Sequence, residues 1–251
     1  MSGVLLPGTA QAPQVLSGYT ASGAGGVGFA GSALPGPTAP YAGQVAASPL
    51  QADVGGAATI AGVNLPPGLP DTALVVAAVW GGANTVTASL SDSFATHYTW
   101  TSVASAPSGA NQNCEIWLGT RSGAATSDLV GTITVTPSAS DPVWAIAIPL
   151  LAARGTLVAA GNGNGESTTS GASVPMGSIS PTGTTVIVGA LGAASNISPP
   201  TTPSGLVTIP FYSGSGIFII ASDVAPGTYN PTATSTSSTA FYWSSCDAAF
   251  E

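Results

Sequence analysis

From Ala58 to its end the chain is written in short apolar or alternating runs broken by Gly- and Pro-rich turns, a grammar that confines it to β-structure. Residues 59–65 (TIAGVNL) run into Pro66-Pro67-Gly68, and residues 73–80 (ALVVAAVW) form an apolar run expected of a strand buried on both faces. Residues 85–90 (TVTASL) and 98–103 (YTWTSV) alternate with period two, as a strand with one wet face does. Runs at 115–118, 131–136 and 143–148 continue the series. The second half repeats it: 156–160, then a Gly/Asn stretch at 161–165 that reads as a loop, then runs at 184–191, 206–209, 215–221, 228–234 and 240–246. Helix is disfavoured throughout, because lysine is absent, Glu and Gln are few, and no amphipathic 3.6-residue period is visible.

Residues 1–55 differ. Gly and Pro space them (Gly23-Ala24-Gly25-Gly26, Leu34-Pro35-Gly36-Pro37), and single apolar residues such as Val15, Leu16, Tyr19, Phe29, Leu34 and Tyr41 punctuate them. Isolated anchors on such a backbone suit an extended arm laid along another protein surface; a disordered tail is the competing reading. The expected fold is therefore all-β: an antiparallel β-sandwich or jelly-roll at 56–251, with an extended Gly/Pro-rich arm at 1–55. The repetition leaves room for two sub-sandwiches dividing near residue 155.

Charge narrows the function. Two Lys+Arg stand against ten Asp+Glu, only 5% of the 251 residues are charged, and the formal net charge is −8. A soluble domain usually carries about a quarter charged residues. Two cations cannot neutralise a phosphate backbone, so nucleic acid is not expected as a partner, and an anionic membrane surface is disfavoured for the same reason. The most apolar stretch, residues 143–153, is too short for a membrane helix and contains Pro149. The N-terminal residues lack the basic and long apolar regions of a secretory signal, which points to synthesis in the cytoplasm.

Residues 74–154 resemble a β-sandwich module of bacteriophage virion proteins and some bacterial surface proteins. The resemblance is carried by ALVVAAVW, NTVTASLSDSFATHYTWTSVAS, NCEIWLGT and GTITVTPSASDPVWAIAIPL, and it covers about a third of the chain. In that family the Asp-Ser pair is usually followed by Gly-Asn; here Asp92-Ser93 is followed by Phe94-Ala95-Thr96-His97. The resemblance implies a virion or cell-surface building block and transfers no catalytic residue. The expectation is a structural component of a bacteriophage particle, located in the virion and not an enzyme. Its arm would anchor on other virion structural proteins, its copies would form a homo-oligomer, and its loops would touch host surface glycans. Tail and capsid-decoration placements both stay open. A carbohydrate-binding or adhesin-like bacterial surface module is the rival reading.

Residues with chemical capacity are few. His97 is the single histidine, and no serine lies in a G-x-S-x-G elbow. Asp92, Glu115, Asp128, Asp141 and Glu166 could supply the carboxylate pair of a glycoside hydrolase, but scattered acids in turns are the simpler reading. Asn162, Asn164 and Glu166 offer oxygen ligands without the charge of a calcium loop. Cys114, Cys246 and His97 lack metal-ligand spacing, and no cofactor motif is present. The two cysteines are either bridged or free and buried. The five tryptophans all fall on expected strands, where core packing competes with sugar stacking. The candidates for a glycan platform are Tyr98 with Trp100 and Tyr242 with Trp243.

Overall fold

The computed structural model describes residues 20–23, 26–30, 41–42, 46–47, 56–65, 73–83, 85–107, 112–121, 130–151, 156–167, 170–194, 196–211 and 216–251. The chain divides into two compact units, Met1–Ala39 and Pro40–Glu251. In the first, β1 (Thr20–Gly23) and β2 (Gly26–Ala30) form an antiparallel hairpin with a bulge at Ala21/Ser22. The arm positions Val15, Leu16, Tyr19 and Leu34 lie outside the described residues.

The second unit is all antiparallel strand, and its early members come from the stretch read as arm. Strands β3 (Tyr41–Ala42) and β4 (Ala46–Ala47) both pair with β11 (Val143–Leu151). The other strands of this half are β5 (Ala58–Asn64), β6 (Ala73–Gly81), β7 (Ala88–Asp92), β8 (Thr99–Pro107), β9 (Gln112–Thr120) and β10 (Val130–Pro137). They make a large sheet in the order β3-β11-β6-β9-β8 and a small sheet in the order β5-β10-β7. The second half contains β12 (Leu157–Ser167), β13 (Ser173–Pro175), β14 (Thr185–Ala193), β15 (Ile197–Ser198), β16 (Val207–Phe211), β17 (Gly216–Val224), β18 (Thr232–Ser235) and β19 (Phe241–Phe250). Its sheets run β12-β19-β14-β17-β16 and β13-β18-β15. Taken in chain order, the second half reproduces the strand order of the first, and the change from one to the other falls between β11 and β12.

Three apolar layers hold the four sheets together. One lies inside the first half, where Leu74, Val76, Ala78 and Trp80 of β6 meet Ile60, Val63, Phe94, Ile133 and Val135. Inside the second half Leu191, Ile217, Ile219 and Trp243 meet Val174, Met176 and Ala233, and a neighbouring cluster joins Ile179, Ile187 and Ala249. The third layer lies between the two large sheets, where Val75, Ala77, Val79, Ile146 and Ile148 face Val188, Ala190, Phe218, Ala248 and Phe250. Each large sheet is thus covered on both faces. This explains why residues 73–80 and all of β14 are buried, and why their sequences read as apolar runs without alternation. Each fully buried Ile or Phe side chain in these layers contributes about 1.5–3 kcal/mol of transfer free energy.

The stretch 161–165, expected as a loop, is the middle of the eleven-residue β12. It pairs with β19 from Gly161↔Asp247 to Gly165↔Trp243. Its glycines recur at the strand period because their inward face has no space. A Cβ on Gly161 would stand 2.6 Å from Asp247 Oδ1 and 2.9 Å from the Ser178 backbone nitrogen, and one on Gly163 would stand 2.9 Å from the Pro175 carbonyl oxygen. Close approach, not turn formation, selects glycine here. The described residues contain no helix, so none is long and apolar enough to cross a membrane.

Candidate functional site

The densest polar constellation closes the turn between β7 and β8. Asp92 is the last residue of β7, where it pairs with Ile133, and its side chain is 2% exposed. Its Oδ1 accepts from the Phe94 backbone N–H at 3.2 Å and meets His97 Nδ1 at 3.0 Å. Its Oδ2 accepts from the Tyr98 backbone N–H at 3.1 Å and from Trp100 Nε1 at 3.1 Å. Ser93 seals the same turn against β10: its Oγ accepts from Thr132 N–H at 2.9 Å. Arg121, which follows β9, lies over the Phe94 ring at 5.5 Å and the Tyr98 ring at 5.0 Å, and donates to the Thr96 carbonyl at 3.4 Å. The buried guanidinium therefore anchors the turn from beneath through cation–π contacts.

This arrangement orients His97 with Nδ1 toward a carboxylate, the geometry in which a histidine can act as a base. The Ser93 hydroxyl, however, is committed to the Thr132 amide. Among the described residues no hydroxyl is hydrogen-bonded to His97, whose side chain is 71% exposed. Asp92 spends three of its four contacts on backbone and indole donors, so its visible chemistry is to fix a loop.

The four aromatic candidates are placed differently from one another. Tyr98 is buried in the inner core of the first half, stacked edge-on to Phe94 and tilted against Trp100 with centroids 5.5 Å apart. Trp100 is partly buried, held by Asp92, and covers Gly119, where a Cβ would meet the indole at 2.5 Å. Trp243 is buried in the core of the second half over Gly163 and Gly165. Tyr242, on the opposite face of β19, is 43% exposed. The buried faces of Tyr98 and Trp243 have no room for a sugar, because neighbouring aromatics and glycine backbone already occupy them.

Of the scattered acids, Asp92 sits in this turn, Glu115 in β9, and Asp141 just before β11. Asp128 and the side chains of Asn164 and Glu166 lie outside the described residues, and Asn162 donates to the Ser105 carbonyl. Burial raises the Glu115 carboxyl above its ordinary value, partly offset by a hydrogen bond with Ser102. Among the described residues no three of His, Cys, Asp and Glu converge where a metal ion could be held. Cys114 and Cys246 are both free thiols, buried in the layer between the large sheets, whereas His97 stands at the surface of the β7–β8 turn.

One ionisable residue escapes sequence reasoning altogether. Asp247 lies in β19 between Gly161 and Gly189 and is completely buried, and its carboxyl has no hydrogen-bond donor beyond its own backbone N–H. Gly177 completes its niche, since a Cβ there would lie 2.7 Å from Oδ1. Burial pushes its pKa up to about 7. On the inner face of β11, the counterpart strand in the first half, Ala145 and Ala147 stand buried and no acid is present.

Comparison with models of known protein families, with curated protein sequences and with solved structures gave no match.

Proposed function

We propose that this chain is a structural component of a bacteriophage particle, present in several copies and held in place by its neighbours. The observation that carries the reading is the state of its sheet edges. Strands β3, β5, β7, β8, β12, β13, β15 and β16 are the outer members of the four sheets of the Pro40–Glu251 unit. They expose small and hydroxyl side chains, including Thr59, Ala61, Ser89, Ser91, Thr101, Ser102 and Ser105. None carries a lysine or arginine, the usual guard against edge-to-edge pairing. Among the described residues Arg121 is the one lysine or arginine, and it is buried under the β7–β8 turn. Val130, Val207 and Tyr242 add exposed apolar surface. Such edges are stable against aggregation when other subunits cover them.

The resemblance of residues 74–154 to virion sandwiches supplies the particle, and the Gly/Pro-spaced N-terminal stretch supplies a means of attachment. The extension to host glycans has Tyr242 as its open aromatic ring, which is less than a stacking platform, so assembly is the function we favour. The full-length chain is expected to run as a defined multimer in native mass spectrometry and to co-sediment with assembled particles. A monomer at every concentration, absent from particles, would sink the proposal.

A further inference from the structure

We propose that Cys114 and Cys246 form a disulfide site that, once oxidised, staples the first half of the Pro40–Glu251 unit to the second. The chain has two cysteines, and the fold brings them together from different halves. Cys114 sits on β9, paired with Val79 on one side and Ala106 on the other. Cys246 sits on β19, paired with Asn162 and Ala190. Both side chains point into the layer between the two large sheets, 1% and 0% exposed, where β9 packs against β19. The Cys114 thiol also lies 4.0 Å from the Ala106 carbonyl.

The repeated architecture shows that this meeting is not inherited from the repeat. In the repeat β9 corresponds to β17 (Gly216–Val224), which contains no cysteine. Likewise β19 corresponds to β11 (Val143–Leu151), which contains no cysteine. Each half carries one cysteine on a strand whose counterpart has none, and both face the same layer. A purely packing role asks only for small apolar volume, which Ala supplies in the neighbouring positions 77, 190 and 248 of the same layer.

The chemistry balances with a small-molecule disulfide as oxidant. The thiolate of one cysteine attacks a sulfur of the oxidant, breaking its S–S bond, forming a mixed disulfide and releasing one thiol. The second cysteine, as thiolate, attacks the protein sulfur of that mixed disulfide, closing the Cys114–Cys246 bond and releasing the second thiol. Two protons pass from the cysteines to the released thiols. Burial and the neighbouring Cys114, Asp247 and Glu115 hold the Cys246 thiol well above its usual range, so the closed layer suppresses the thiolate. Oxidation therefore belongs to folding or to an opening of the layer under oxidising conditions, and a reducing compartment leaves the pair as thiols.

The test is refolding of the full-length chain from denaturant in a glutathione/glutathione-disulfide buffer and, separately, in excess dithiothreitol. The oxidised product is expected to have no titratable thiol under denaturing conditions and to remain a single chain on non-reducing electrophoresis. Proteolysis should give one peptide pair joined through residues 114 and 246. Its melting temperature should exceed that of the reduced product by roughly 10 °C, the scale set by closing a loop of more than a hundred residues in a domain of this size. A C114S/C246S variant should melt at one temperature in both buffers. The proposal is overturned if two thiols still titrate after oxidative refolding, if the bond forms between chains, or if the oxidised chain melts no higher than the reduced one. The thiol count on the unaltered chain decides the matter even if the variant does not fold.

Discussion

Asp247→Asn is expected to raise the melting temperature of the chain at pH 8 by roughly 10 °C and to change it little at pH 4. The carboxyl is fully buried with no hydrogen-bond donor beyond its own backbone N–H, and burial raises its pKa to about 7 from an ordinary value of 3.8. A raised pKa means the folded state binds the proton more tightly than the unfolded state. The stability associated with that proton is complete below about pH 4, declines as the pH rises, and is gone above about pH 7. The span corresponds to about 4 kcal/mol at 1.36 kcal/mol per pKa unit. Asparagine nearly matches the side chain in shape and cannot ionise, so it removes the loss at high pH while standing in for the neutral acid at low pH. The Glu115 carboxyl, also raised by burial, tilts the parent in the same direction. Comparing variant with parent at each pH isolates Asp247. Thermal denaturation followed by circular dichroism from pH 4 to 8 checks this. A difference between variant and parent that is the same at pH 4 and pH 8 would mean that Asp247 does not ionise within the fold.

Much of the architecture is written in the sequence because each signal is local. The buried strand at residues 73–80 announces itself as ALVVAAVW, and the alternation of 98–103 foretells β8, which runs over Thr99–Pro107. The misreadings share a cause: a residue taken for punctuation is in fact packed. The glycines at 161, 163 and 165 read as a flexible loop, yet their spacing of two is the strand period, and Asp247, Pro175 and Trp243 occupy the space their side chains would need. The last run reads as residues 240–246; β19 continues through Asp247 to Phe250 and buries the acid. The stacking of the two large sheets had no local signature, since it depends on β9 meeting β19 and β6 meeting β14 across the length of the chain. Asp92 was visible as part of an Asp-Ser turn, but its role depends on where the Phe94, Tyr98 and Trp100 donors point once that turn has closed.

That role sets the second large effect. Asp92→Ala should destabilise the chain by about 3–5 kcal/mol, because it strands the Tyr98 amide and the Trp100 indole N–H away from water and frees the Phe94 amide. His97→Ala should cost no more than about 1 kcal/mol, since that partner of Asp92 is largely exposed and its ion pair is screened. Asp92→Asn should fall between them: one oxygen remains to accept, while the other site becomes an amide that opposes the Tyr98 and Trp100 donors. The readouts are the urea midpoint of each variant and the fluorescence of Trp100, which should shift toward longer wavelength when its N–H loses Asp92 and water enters the turn. Trp100→Phe keeps the ring over Gly119 but removes the N–H, so in that background Asp92→Ala should cost less than in the parent, by about the energy of one charge-assisted hydrogen bond, 1.5–3 kcal/mol. If His97→Ala proves as damaging as Asp92→Ala, the ion pair and not the carboxylate-to-backbone network holds the turn. His97 would then be the residue that positions Asp92.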